Sequence, residues 1–273
     1  MTLIHSRKPR AAAAGDHAAG LPPLDLLPLD LLPAEAAQAV RWWRARKHRY
    51  LAAQPLAPSP ALNAALARLP TGRWRIKPST AAALAALAEA VRPQRILEFG
   101  SGVSTAVFAL AAAAGGGGSR VIAIEESDVH AARTRSLLQC LGVAAFASVL
   151  VAPVTRRRIG DWEGFLYHPA AGAVEDALGG HRADFLFVDG PASWGTGRGD
   201  CRFGTLLAAR AWAAEAALFA ADDCLRRRDL AILRRWGRVP GIEVVGVLPV
   251  GSGLGLGVIR ASTEATARPV DQS

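Results

Sequence analysis

The sequence predicts an α/β protein: a doubly wound, mostly parallel seven-stranded sheet with an antiparallel terminal hairpin and a helical, basic N-terminal extension. Three observations predict it. Short apolar runs alternate with helical stretches from residue 95 onward, as expected of strands buried on both faces. A glycine-rich turn, "EFGSG", follows the first of these runs and opens a helix. The last two runs are joined by "GSGL", too little chain for a crossover and enough for a hairpin.

The elements follow in order. Residues 1–33 contain "PLDLLPLDLLP", whose prolines prevent a continuous helix, so a disordered or extended leader is expected. Asp16 and His17 interrupt the early alanines, and no export signal is read there. Residues 34–53 read as a helix in which Trp42, Trp43 and Tyr50 lie among Arg41, Arg44, Arg46, Lys47 and Arg49. Val40, Trp43 and Tyr50 packing on the domain is favoured over contact with an acidic membrane surface, a nucleic-acid backbone or another acidic partner. Together with the proline-rich "QPLAPSPALN" this makes a basic helical extension over 34–74. "KPSTAAALAALAEAVRPQ" is a helix with Ser79 or Thr80 as its N-cap and Pro93 beyond its end.

The domain proper, residues 75–261, then alternates. "RILEF" (95–99), "VIAIE" (121–125), "ASVLVAPV" (147–154), "ADFLFVDG" (183–190) and "ALFAADD" (217–223) are the first five strands. "STAVFALAAAA", "SDVHAARTRSLLQCLG", "RFGTLLAARAWAAE" and "RRDLAILRRW" are helices, and 242–250 with 255–261 form the hairpin. Residues 262–273 are expected to be a disordered tail.

Charge separates these parts. Residues 1–95 hold 14 Lys/Arg against 5 Asp/Glu, whereas 96–273 hold 18 of each, so the whole formal excess of +9 precedes the glycine turn. That distribution excludes a uniformly basic nucleic-acid domain. Cys140, Cys201 and Cys224 are too few and too scattered for a disulfide framework or a zinc motif, and a reducing, cytoplasmic setting is expected. No apolar run approaches the roughly 20 residues of a membrane span.

In such a sheet the ligand sits at the carboxyl ends of the strands. Those ends carry Glu98, Glu125-Glu126, Asp189 and Asp222-Asp223, with no lysine or arginine among them. Gly100-x-Gly102-x-x-Thr105 lacks the third glycine of a dinucleotide fingerprint, and a rim of carboxylates disfavours a pyrophosphate. A ligand with a ribose, a cationic centre and no phosphate suits the rim better.

"ILEFGSGVST", "VIAIEES", "DFLFVDGP" and "LFAADD", in this order, resemble the class I S-adenosylmethionine-dependent methyltransferases over about residues 75–261. The "VDGP" stretch, followed by an arginine-aromatic pair and an acidic pair, resembles a small, uncharacterised bacterial group within them. The resemblance implies S-adenosylmethionine as cofactor, with Glu98, Gly100, Gly102 and Glu125 on cofactor-binding positions and Asp189 where the fourth strand faces the methyl group; the neighbouring Ser101, Ser104, Thr105 and Glu126 are read as joining that site from their places at the turn and the strand end. Glu125 would accept both ribose hydroxyls. Gly100 and Gly102 would let the backbone approach closely. Glu98 would contact or orient the amino-acid end, and Ser104, Thr105 and the helix N–H groups would receive its carboxylate. An acidic residue near the adenine is expected after the third strand, where only the more distant Asp161 is available.

Asp189, Asp222 and Asp223 are the candidate catalytic residues, with Asp189 as base or orienting group for a small-molecule hydroxyl or amine acceptor. A more distant resemblance to catechol-type O-methyltransferases implies a divalent cation such as magnesium on these three. That family places an asparagine where this chain has Asp223, so the ion is not expected. The alternative is that Asp222 or Asp223 caps the next helix while Asp189 shapes the Gly-Pro turn.

The loop 191–204, with Trp194, Arg198 and Arg202, is either a substrate lid or a surface loop. Trp162 or Tyr167, in 155–169, would cover the adenine or else pack on the domain. His168 and His181 are expected at the surface. The rival functions are an aminopropyl transferase on the same fold and a non-catalytic cofactor-binding scaffold docking a partner through 34–53.

Overall fold

A computed structural model describes residues 57–72, 75–193, 197–248 and 250–260. The expected leader, the 34–53 helix, Trp194 and the tail 262–273 lie outside the described residues. Within them the chain runs α1 (Pro60–Leu66), α2 (Pro78–Val91), β1 (Arg95–Phe99), α3 (Val103–Ala114), β2 (Arg120–Glu125), α4 (Asp128–Cys140) and β3 (Ala147–Val151). It continues through β4 (Val154–Ile159), β5 (Trp162–Tyr167), α5 (Ala173–Leu178), β6 (Ala183–Val188), α6 (Cys201–Ala209), β7 (Ala213–Ala221), α7 (Arg227–Trp236), β8 (Ile242–Leu248) and β9 (Leu254–Arg260).

Seven strands form one sheet in the order β3-β2-β1-β6-β7-β9-β8. The pairs β1–β2, β1–β6, β2–β3 and β6–β7 are parallel, while β9 runs antiparallel to both β7 and β8. This is the doubly wound sheet with a terminal hairpin that the apolar runs predict. Successive residues of β1 and β6 face opposite sides: Ile96, Phe185 and Phe187 join a core with α2 and α3. Leu97, Phe99, Leu186 and Val188 join the other core, with α6, α7 and the β4–β5 hairpin. Both faces are covered, which explains why the strands read as continuous apolar runs.

Four local readings change. Pro60 stands at the start of α1, Ser59 caps it, and Ser59 N–H and Oγ both donate to Glu89 (2.7 and 2.6 Å). The proline-rich break therefore ends in a helix whose Leu62 enters the core. Lys77, not Ser79 or Thr80, is the N-cap of α2, because Pro78 fits the first helical position. Ser79 Oγ instead accepts from Gly251 N (3.0 Å). The helix expected over 202–215 stops at Ala209, and the alanines from 213 form the first half of β7. Pairing with β6 overrides their helical preference there.

The fourth change is the hairpin of β4 and β5, read from sequence as a continuation of the third strand and a covering loop. Gly160 (φ +54°) and Asp161 make its two-residue turn. Its Trp162 packs against Phe203 (ring centroids 6.2 Å apart) and donates to Asp200 Oδ2 (3.1 Å). Among the described residues no helix is long and apolar enough to cross a membrane.

Candidate functional site

The strand order reverses beside β1, between β2 and β6, and that is where such sheets open a crevice at their carboxyl ends. Glu98, Glu125, Asp189 and Asp222 lie at the ends of the adjacent strands β1, β2, β6 and β7, so the acidic rim predicted from sequence is one continuous feature.

The glycine turn is held from three sides. Gly100 N donates to Ile124 O (2.8 Å), and Ser101 donates from both N and Oγ to Glu125 Oε2 (3.0 Å each). Gly102 N donates to Thr105 Oγ1 (3.0 Å), which in turn donates to Glu98 Oε2 (2.6 Å). Gly100 adopts φ +98°, and the β6 end passes so close that a side chain on Gly100 would lie 3.2 Å from Gly190 N. The N–H groups of 103–105 begin α3 and have no partner within the helix.

Glu98 is fully buried beneath this turn. Burial pushes its pKa up to about 8, against the opposing hydrogen bonds of Ser104 and Thr105. At neutral pH it is a neutral carboxyl that holds Thr105 and, through it, Gly102. The sequence reading gave Glu98 a charge facing the ligand; removal from water takes away both the exposure and the charge. Ser104 and Thr105 are buried against Glu98 too, so their hydroxyls turn inward and the helix N–H groups are what the turn offers outward.

Glu125 also accepts from Ser127 N (3.0 Å, Oε1). Three donors fill three of about four acceptor directions of a carboxylate, leaving one on Oε1. The two-handed grip on a diol expected from sequence requires Ser101 Oγ to turn away. Thr134 Oγ1, 3.0 Å from Ser101 Oγ, offers the hydroxyl that alternative.

Glu126 is not free on the rim. Arg198 Nη1 pairs with its Oε2 at 2.7 Å and lies over the Phe165 ring, 5.9 Å from its centroid. The chain between β6 and α6 is thereby tied to the end of β2. Tyr167 and Trp162 are buried, Tyr167 against Phe99 and Gly190, so of the two readings of 155–169 the structure has packing on the domain. Asp161 is exposed at the hairpin tip, and His168 and His181 are exposed as expected. A side chain on Gly190 would lie 2.2 Å from Tyr167 Oη and 3.1 Å from Gly100. Gly190→Ala should cost about 3 kcal/mol in thermal or urea unfolding, and Tyr167→Phe in that background should restore part of it.

The second half of the rim departs furthest from expectation. Arg202, read from sequence as part of a substrate lid or a surface loop, lies in the first turn of α6 and is buried. Its Nη2 donates to Asp189 Oδ1 (3.1 Å) and to the Asp189 carbonyl. Its Nη1 meets Asp229 Oδ1 (3.1 Å), Asp223 Oδ2 (3.4 Å) and the Asp222 carbonyl (3.2 Å). Arg226 Nη1 adds a second contact to Asp223 Oδ2 at 2.6 Å. Burial works against the Arg202 charge, but Asp189, Asp229, Asp223 and Asp222 outweigh it and hold its pKa above the ordinary value. Burial likewise raises Asp189 and Asp229, and it raises Asp222 to about 7 with help from the charges of Asp189 and Asp223. Asp222 Oδ1 is buried without a hydrogen-bond partner.

Neither Asp222 nor Asp223 caps α7, whose N-cap is Arg226. Asp223 sits instead in a left-handed turn (φ +66°), a conformation aspartate tolerates. Asp229, in the first turn of α7, joins the cluster although the sequence reading missed it; the signal available was its spacing of three, four and seven residues from Ile232, Leu233 and Trp236, which puts an acidic residue on the helix's apolar face.

Asp189, Asp222 and Asp223 can each present an oxygen within 4.8 Å of the other two. A divalent ion does not fit there alongside Arg202. One oxygen each of Asp189 and Asp223 already pairs with the guanidinium.

No protein-family model and no curated protein matches the chain. Solved structures do. Cofactor-bound Rv0187 from MTB is 24% identical, with 75% of this chain and 91% of that one covered at a TM-score of 0.50. The O-methyltransferase from Bacillus cereus, in complex with SAH, is 18% identical over 81% of this chain and 99% of that one (TM-score 0.50). The SAH-bound methyltransferase PaMTH1 from Podospora anserina is 16% identical over 85% and 99% (TM-score 0.51). The chain shares the Rossmann-like fold of these structures, two of which are methyltransferases.

Proposed function

We propose that the chain is an S-adenosylmethionine-dependent methyltransferase acting on a small-molecule hydroxyl or amine. The observation that carries this reading is the turn itself. Gly100–Gly102 at the strand-order reversal is fixed by Glu98 and Glu125, and it opens a helix whose N–H groups 103–105 lack intrahelical partners. Solved structures of this fold that hold SAH support it.

The residues fit that cofactor. The helix N–H groups suit a carboxylate, and the remaining acceptor direction of Glu125 suits a ribose hydroxyl. When bound, the cofactor supplies an activated methyl group. The protein's part is to hold donor and acceptor in line and exclude water. Asp189, about one-third exposed, is the rim carboxylate placed to orient the acceptor or take its proton.

Calorimetric titration with S-adenosylhomocysteine, alongside NAD, tests the reading. Binding of S-adenosylhomocysteine and not of NAD is expected, and the reverse overturns it. Glu125→Ala should weaken that binding by about 1–3 kcal/mol, roughly 5- to 150-fold. An unchanged affinity removes Glu125 from the site.

A further inference from the structure

We propose that Arg202 is the resident cation of the acidic rim, standing in place of a divalent metal, so that the site operates without one. The carboxylates of Asp189, Asp222 and Asp223 gather closely enough to share one ion. Such a gathering of anions needs a positive charge among them, and here the chain brings its own. The Arg202 guanidinium is buried and touches Asp189, Asp223 and Asp229 through side-chain oxygens and Asp189 and Asp222 through carbonyls.

These contacts come from three elements: the end of β6, the end of β7 and the first turn of α7. A planar guanidinium with donors directed to several sides can bridge them as a coordinated ion would. Arg226 covers Asp223 from the solvent side. Arg202 meets Asp222 only at its carbonyl, and Asp222 Oδ1, buried and unpartnered, is an oxygen that an ion admitted by loss of the guanidinium would find unoccupied.

Arg202 acts as a positioning residue. It fixes Asp189, the group proposed to orient the acceptor, at both its side chain and its carbonyl. The metal-free character rests on the methyltransferase reading only for the name of the reaction, because the cation question concerns the protein alone.

The experiment is Mn2+ titration of the chelator-washed full chain, followed by electron paramagnetic resonance of the free ion. The wild-type protein should show no stoichiometric binding below about 1 mM, and Arg202→Met should gain one site at least about tenfold tighter. Arg202→Lys, which keeps a cation, should behave like wild type. One Mn2+ bound to wild type at micromolar concentration overturns the proposal, and so does a folded Arg202→Met protein that binds none. Should Arg202→Met fail to fold, Arg202→Gln carries the same gain-of-binding test and the wild-type titration still decides. Wild type that binds both Mn2+ and S-adenosylhomocysteine overturns this proposal alone. Wild type that binds neither overturns the functional reading alone.

Discussion

Arg202→Ala is expected to lose about 3–5 kcal/mol of stability at pH 8, the usual cost of leaving buried charges without their partner. A domain with a total stability of about 5–15 kcal/mol stays folded after that loss only with a narrow margin. The loss has a sign in pH. Asp222 titrates at about 7, and burial holds Asp189 and Asp229 above the ordinary carboxylate range as well. Near pH 5.5 these carboxyls take up protons at less cost once the guanidinium is gone, so the difference between variant and wild type shrinks. Urea unfolding at pH 8 and pH 5.5 measures both. A loss below about 1 kcal/mol at pH 8, or one equal at the two pH values, is incompatible with a buried cation neutralising this cluster.

The wild-type protein should itself lose stability as pH rises from about 5 to about 8.5, and Glu98→Gln should remove much of that slope. Glu98 titrates near its ordinary value of 4.5 when unfolded and at about 8 when folded. Between those values the folded state binds more protons than the unfolded one, so stability falls as pH rises. The full penalty is present above pH 8 and absent below pH 4.5. The shift corresponds to a penalty on the order of 4–5 kcal/mol at most. Glutamine keeps the shape and the oxygen that accepts from Thr105 Oγ1 but has no proton to lose. The variant and wild type should be similar at pH 5 and diverge by pH 8.5, with glutamine the more stable. Asp222 adds to the wild-type slope in the same direction up to about pH 7, so the comparison with glutamine isolates Glu98. A wild-type stability that rises between pH 5 and 8 contradicts the assignment.

Legibility followed the range of the interactions. The strands at 95–99, 121–125 and 183–188 are legible because their successive apolar residues (Ile96-Leu97, Val121–Ile124 and Phe185–Val188) point to both faces of a sheet and so call for burial on both. Gly100 and Gly102 are legible because a strand that turns into a helix within a few residues needs positive φ. The β4–β5 hairpin was legible in principle: "RRIGDWEG" puts Gly-Asp between alternating residues, a turn signal outweighed by a run of arginines. The second half of the 202–215 helix was misread because alanine favours helix locally, and only the neighbouring β6 makes it a strand.

The sequence by itself determined the sheet, its terminal hairpin and the set of carboxylates at four strand ends, because apolar periodicity and turn chemistry act over a few residues. Only the tertiary structure decided what those carboxylates are. Glu98 became a neutral anchor because a β strand and a helix close over it. Glu126 became half of an ion pair with a residue 72 positions away, and the aspartates became the shell of Arg202. Charge state and partner depend on desolvation and on contacts between distant segments, and neither is written in local spacing.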